Sequence, residues 1–154
     1  MHRPILISAF VGFLMFLGAP SGKAAGDPAP AGWTTAAPRD EIRPAFAFEA
    51  KAGRNGAGCF IIRADQREGL DGYWQKTFPV QGGRSYDFES SYKASGVRVP
   101  RRSIVAKIQW QDDRGRQVPL DEPVVTSYLR GATGLAETEF PAPKKTDADG
   151  WTKM

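Results

Sequence analysis

A chain of 154 residues holds sequence enough for one domain with a single core, and its 21 basic against 17 acidic residues leave a net charge of +4. The charges are interleaved, without the clustered stripe that a phosphate-tracking surface needs, which argues against nucleic acid as a partner. One histidine, His2, and one cysteine, Cys59, exclude an internal disulfide and, with His2 lying in the segment described next, leave the remaining chain no Ser-His-Asp triad, Cys-His pair or histidine metal site.

The chain opens with a basic start, His2 and Arg3, and an apolar run over residues 4–17, followed by small residues over 18–26. This is the pattern of a secretory leader, too short to span a bilayer comfortably. Cleavage after Ala24, with Gly22 three positions before the cut, satisfies the small-residue rule; a cut after Ser21 is nearly as good. Export to a periplasmic or extracellular compartment follows, with residues 1–24 removed and no stable membrane association afterwards. Loss of Arg3 and Lys23 lowers the net charge from +4 to +2, so the high isoelectric point says little about partners.

Residues 25–37, rich in Ala, Pro and Gly, read as a linker, and 38–154 as the domain. Within it, short β-branched and aromatic runs alternate with turn residues, and no stretch holds a helical period. After the Asn55-Gly56 turn signal comes a strand over 59–64, and after Asp71-Gly72 a strand over 73–80. Gly82 and Gly83 then reverse the chain into 84–93, where Tyr86, Phe88, Ser90 and Tyr92 alternate with polar residues, predicting a half-buried strand in a hairpin. A further strand over 103–111 places Ile104, Ala106, Ile108 and Trp110 on one face, before a turn at 112–115. Residues 124–129 read as one more short strand, and Trp151, after the Asp149-Gly150 turn, starts another. The class is all-β, an antiparallel two-sheet sandwich of jelly-roll type. With few strands for a closed jelly roll, the domain is expected to be incomplete at its C-terminal end.

The succession "GWTT", "GAGCFIIRAD", "DGYWQKTFPVQGGRSYDFESSYKA", "IVAKIQWQDDRGRQV" and "DADGWTKM" resembles the carbohydrate-binding-module-like, galactose-binding-like jelly roll, in the version found at the N-terminus of secreted bacterial carbon-nitrogen hydrolases of the nitrilase superfamily. The resemblance spans residues 32–154 and rests on structural signatures. It implies a truncated accessory module whose Glu, Lys and Cys catalytic set belongs to a separate enzyme domain. Cys59, in "GAGCFII", does not match that family's catalytic turn and reads as a small buried apolar residue.

A sugar-binding sandwich needs aromatic platforms beside groups that bond hydroxyls. By period two, Tyr73 and Gln75 share a polar face, as do Asp87, Glu89 and Ser91, and Lys107, Gln109 and Gln111. The ligand-binding candidates are therefore Tyr73, Gln75, Glu89, Lys107 and Gln109; the plain alternative is the solvated face of an antiparallel sheet. Trp74 and Trp110 fall in phase with the apolar residues and are expected in the core, while Trp33 and Tyr128 could stack a sugar or cover a core edge. Asp112, Asp113, Asp121 and Glu122 match no calcium loop and read as an acidic turn, and 99–103 as a solvated basic corner. No cofactor, metal or catalytic residue is assigned. Asp87 and Glu89, two apart on a strand, are poorly placed to flank a glycosidic bond.

The expectation is thus a non-catalytic exported module that binds carbohydrate or packs on an enzyme domain. The alternative is an interaction module that pairs through an open sheet edge with a partner protein.

Overall fold

The computed structural model describes residues 26–120 and 134–154, together with the backbone of residues 4–10. Among the described residues it is an all-β structure whose strand pairs are all antiparallel. Among the described residues the strands are β1 (Pro4–Phe10), β2 (Thr34–Ala36), β3 (Ala45–Glu49), β4 (Cys59–Arg63), β5 (Tyr73–Gln81), β6 (Ser91–Lys93), β7 (Ile108–Gln111) and β8 (Trp151–Lys153), with a short α-helical turn, α1 (Pro100–Ser103), and 3-10 turns at Asp40–Ile42 and Arg54–Gly56. They form a four-stranded sheet in the order β2-β5-β1-β7 and two pairs, β3-β4 and β6-β8. The expected strand at 124–129, Tyr128 and the acidic pair Asp121 and Glu122 lie outside the described residues.

The centre of the molecule is the β3-β4 pair, whose register sets Phe48 opposite Phe60 and Ala47 opposite Ile61. Because side chains alternate across a strand, Phe46, Phe48, Phe60 and Ile62 share one face and Ala47, Cys59 and Ile61 the other. Both faces are covered, which is why 59–62 is an unbroken apolar run: Ile61 and Ile62 keep 1% and 3% of their surface exposed. On the first side, Phe46 and Phe60 meet Trp74 of β5 at ring-centroid distances of 5.8 and 5.0 Å, and Trp33 stands 4.3 Å from Phe60. On the second, Trp151 of β8 packs against Ala47, Cys59 and Ile61. A neighbouring cluster joins Tyr92, Ile104, Ala106 and Met154.

Strands β4, β5 and β8 stand where the sequence pattern predicts them. The Asn55-Gly56 signal is a tight turn with both residues at positive φ, 56° and 74°. The 149–150 turn is held by Asp147, whose Oδ1 accepts from the backbone N–H of Asp149 (3.1 Å) and Trp151 (2.8 Å), while Oδ2 pairs with Arg54 (3.1 Å). Gly150, at φ 83°, supplies the left-handed residue this turn requires.

Three expectations are corrected. Residues 84–93 do not fold back on β5: β1 pairs with one edge of β5 along Gln75–Gln81, β2 with the other at Tyr73–Gln75, and 84–93 with neither. Only 91–93 form a strand, paired with β8, and Tyr86, 46% exposed, turns its hydroxyl to the Gln81 backbone N–H (2.7 Å). The strand expected over 103–111 begins only at Ile108: Pro100 starts the α1 turn, and 104–107 keep their alternating burial without a ladder partner. Asp71-Gly72 is not a left-handed turn. Gly72 instead admits the rings of Pro44 and Phe46, since a Cβ there would lie 2.6 Å from Pro44 Cδ and 2.8 Å from Phe46 Cζ. In addition, Trp33 to Ala36, placed in the linker by composition, join the domain through β2 and the Trp33 ring contacts.

Asp147→Ala is expected to lower unfolding free energy by about 1–3 kcal/mol, the usual cost of removing hydrogen bonds to a charged group. Chemical denaturation followed by tryptophan fluorescence would read this as a lower midpoint, with Asp149→Ala changing it much less.

Candidate functional site

The four-stranded sheet turns one face to the β3-β4 pair and the other outward. On β5, Trp74 and Val80 point inward and are buried, so Tyr73, Gln75 and Thr77 point outward. In the segment leading into β7, Ile104, Ala106 and Ile108 are buried, which puts Val105, Lys107, Gln109 and Gln111 on the outer side. β1 lies between these two rows: Phe10 stands opposite Gln75, and Ser8 opposite both Thr77 and Gln109.

The outer face carries a groove of about 420 Å³ lined by Tyr73 and Gln75 on one side and Lys107, Gln109 and Gln111 on the other. Asp71 lies at one end, Arg102 of α1 joins the rim, and Phe140, 62% exposed, adds an open aromatic face. Four of the five residues proposed from the sequence pattern thus share one groove. The groove's chemistry is mainly amide and cationic, with Asp71 as its carboxylate. Carboxamides both donate and accept hydrogen bonds, as vicinal hydroxyls do.

Glu89 is not part of it. Because residues 84–90 leave β5 instead of pairing with it, Glu89 lies near β8, where its Oε2 meets Lys153 Nζ at 2.8 Å. That hydrogen bond and charge hold its carboxyl below the usual glutamate range. It borders a second cleft of about 750 Å³ walled by Trp33, Phe78, Trp110 and Phe140, with Asp87 and Glu139 at its edge. Trp110, expected in the core, is only half-buried there and donates its indole N–H to Glu139 Oε1 at 2.6 Å. Trp33 covers a core edge against Phe60 and Phe78.

The remaining sequence candidates have structural roles. Asp112 is a turn residue: its carboxylate accepts from the backbone N–H of Arg114 and Arg116 and from the Arg116 guanidinium, and those bonds lower its pKa. Among the described residues no group of three or more His, Cys, Asp or Glu side chains could hold a metal ion. Cys59 is buried, and loss of solvation, with Glu49 nearby, raises its pKa. Arg102 and Phe140 went unassigned from sequence, the first read as a solvated corner and the second isolated between turn residues.

Comparison with protein-family models, with curated proteins and with solved structures finds no match to this chain. Among the described residues, no helix is long and apolar enough to cross a membrane.

The ion pair of Glu89 makes a pH prediction. A carboxyl whose folded pKa is depressed contributes stability that is present above its unfolded pKa, about 4.3, and lost as pH falls through the folded value. Thermal unfolding of Glu89→Gln between pH 2 and 6, on the order of that window, is expected to show a shallower acid-side loss of Tm than wild type. Equal slopes would mean that the pair adds nothing.

Proposed function

We propose that this chain is a non-catalytic, exported carbohydrate-binding module with a jelly-roll sandwich, and that the outer groove of its four-stranded sheet is the sugar site. One observation carries the reading: Tyr73, Gln75, Lys107 and Gln109, selected by strand phase alone, converge on a single groove beside an exposed phenylalanine. Tyr73 and Phe140 offer apolar faces to the C–H surface of a sugar ring. Gln75, Gln109 and Gln111 supply paired donors and acceptors, and Lys107 and Arg102 add donors for hydroxyl or carboxylate oxygens. Acid-base glycoside hydrolysis uses two carboxyl groups flanking the bond, and the groove lining contains one, Asp71, which favours binding without turnover. The resemblance to accessory modules of carbon-nitrogen hydrolases agrees with that role, and a cognate enzyme domain would supply the chemistry. The leader-like N-terminus supports export.

A second reading is pairing with a partner protein through a sheet edge, for which β2, an end strand of the four-stranded sheet, is the candidate.

Titration of the purified full-length chain, residues 1–24 retained, against a panel of neutral and uronic-acid oligosaccharides is expected to reveal a binder. Gln75→Ala, Gln109→Ala and Phe140→Ala would each raise its Kd about two- to tenfold, the cost of one hydrogen bond or ring contact. Asp113→Ala, in the exposed turn, serves as the control. A panel without binders, or groove variants that bind as well as wild type, would rule out the sugar site.

A further inference from the structure

The cleft beside the sugar groove has a different chemistry and calls for a different ligand. Among the described residues its lining holds six aromatic side chains and three carboxylates, and no lysine or arginine. The groove, by contrast, sets amides and two cations beside the single carboxylate of Asp71. At about 750 Å³ the cleft lies in the range that takes a small molecule, and two of its rings reach solvent, Phe140 at 62% and Tyr86 at 46% exposure.

Its walls are held in place by the fold. Trp33 meets Phe78 edge to face, with ring centroids 6.3 Å apart. Glu139 is pinned to β7 by two backbone hydrogen bonds: its N–H donates to the Ile108 carbonyl (3.0 Å), and its carbonyl accepts from the Ile108 N–H (2.9 Å). The side chain is pinned as well, because Oε1 accepts the Trp110 indole N–H. A carboxylate is thereby fixed at the edge of an indole. Glu89 has its own cation in Lys153, whereas among the described residues Asp87 and Glu139 form no ion pair.

Ring faces carry partial negative charge and carboxylates full charge, so the cleft favours a cation that also presents apolar surface. A primary ammonium must find acceptors for three N–H groups. Lys76 shows the requirement: its ammonium lies over the Phe78 ring at 5.3 Å and also donates to the Ala31 carbonyl. Ring faces are poor acceptors, whereas an alkylated ammonium has no N–H to satisfy and meets the rings through its alkyl groups.

We infer that the aromatic cleft is a second binding site, for a small soluble quaternary ammonium such as choline, with its head against Trp110 and Phe140 and its charge balanced by Glu139 and Asp87. The β7 side of the cleft is assigned because on the β5 side Lys76 already holds a cation over Phe78. The site stands apart from the sugar reading, since it uses neither the amides nor the cations of the groove; Phe140 lines both cavities.

The test titrates the purified full-length chain, residues 1–24 retained, with choline, followed by tryptophan fluorescence and by NMR of the indole N–H signals. The comparison ligand is the uncharged alcohol in which carbon replaces the choline nitrogen. Choline is expected to bind saturably and about tenfold more tightly than that alcohol, the worth of a cation over rings. The Trp110 indole signal should shift while that of buried Trp74 stays. Glu139→Gln keeps an acceptor for the Trp110 N–H but removes the charge, and Asp87→Asn removes the second charge. Both residues are exposed, so the fold should stand. Each variant is expected to weaken choline about two- to tenfold and leave the alcohol unchanged, with Asp113→Ala altering neither. No saturable binding of choline, equal binding of choline and the alcohol, a response that spares Trp110, or variants that bind choline as well as wild type would overturn the cation site. Retention on phosphatidylcholine vesicles without binding of free choline would overturn it too, in favour of a lipid surface.

Discussion

The contact on which the rest depends is that between Trp74 and the β3-β4 pair. Its ring lies between Phe46 and Phe60, and its indole N–H donates to the carbonyl of Ile61 at 3.2 Å. Burying an indole stabilises only if its polar edge finds an acceptor, and here the acceptor is a backbone carbonyl of the most enclosed strand. That bond fixes how β5 sits on the core, and the phase of β5 then decides which side chains face outward. Tyr73 and Gln75 reach the groove because Trp74, between them, is held inward.

The same logic accounts for the asymmetry of the two sheet faces. Inward positions on β5 and β7 are large and apolar apart from Lys76, and the outward positions on β5 and the segment through β7 are mainly amides and hydroxyls, with Pro79, Val105 and Lys107 among them. Neither face is closed by the described residues: the outer one forms the polar groove and part of the inner one the aromatic cleft. Both cavities span β5 and β7, so the occupancy of the space between those strands governs both.

Strand phase was readable in the sequence wherever a run was long enough to alternate, and this is why Tyr73, Gln75, Lys107 and Gln109 were found together. Strand partners were not. A period of two records which side a residue faces and nothing about the neighbour to which its backbone bonds, so alternation places 84–93 beside β5 with Glu89 on the polar face, whereas the chain carries Glu89 to β8. The Gly82-Gly83 turn does occur, with Gly83 at φ 74°, but a turn fixes a local reversal and not the destination of the chain after it. Phe140 escaped notice because an isolated aromatic between turn residues has no phase at all. Trp33 escaped the domain because Ala and Pro around it masked a three-residue strand.

The pairing of β8 with β6 spans some sixty residues, whereas β3 and β4 lie within one short stretch of chain. Polypeptide synthesis delivers the N-terminal part first, so the β3-β4 pair can gather its aromatic partners while β6 still lacks its neighbour. Until Trp151 arrives, the side of the pair formed by Ala47, Cys59 and Ile61 stays uncovered. A nascent molecule therefore passes through an interval in which its most apolar strand is half wrapped and its one thiol exposed. The last residues of the chain thus complete the wrapping of its most enclosed strand.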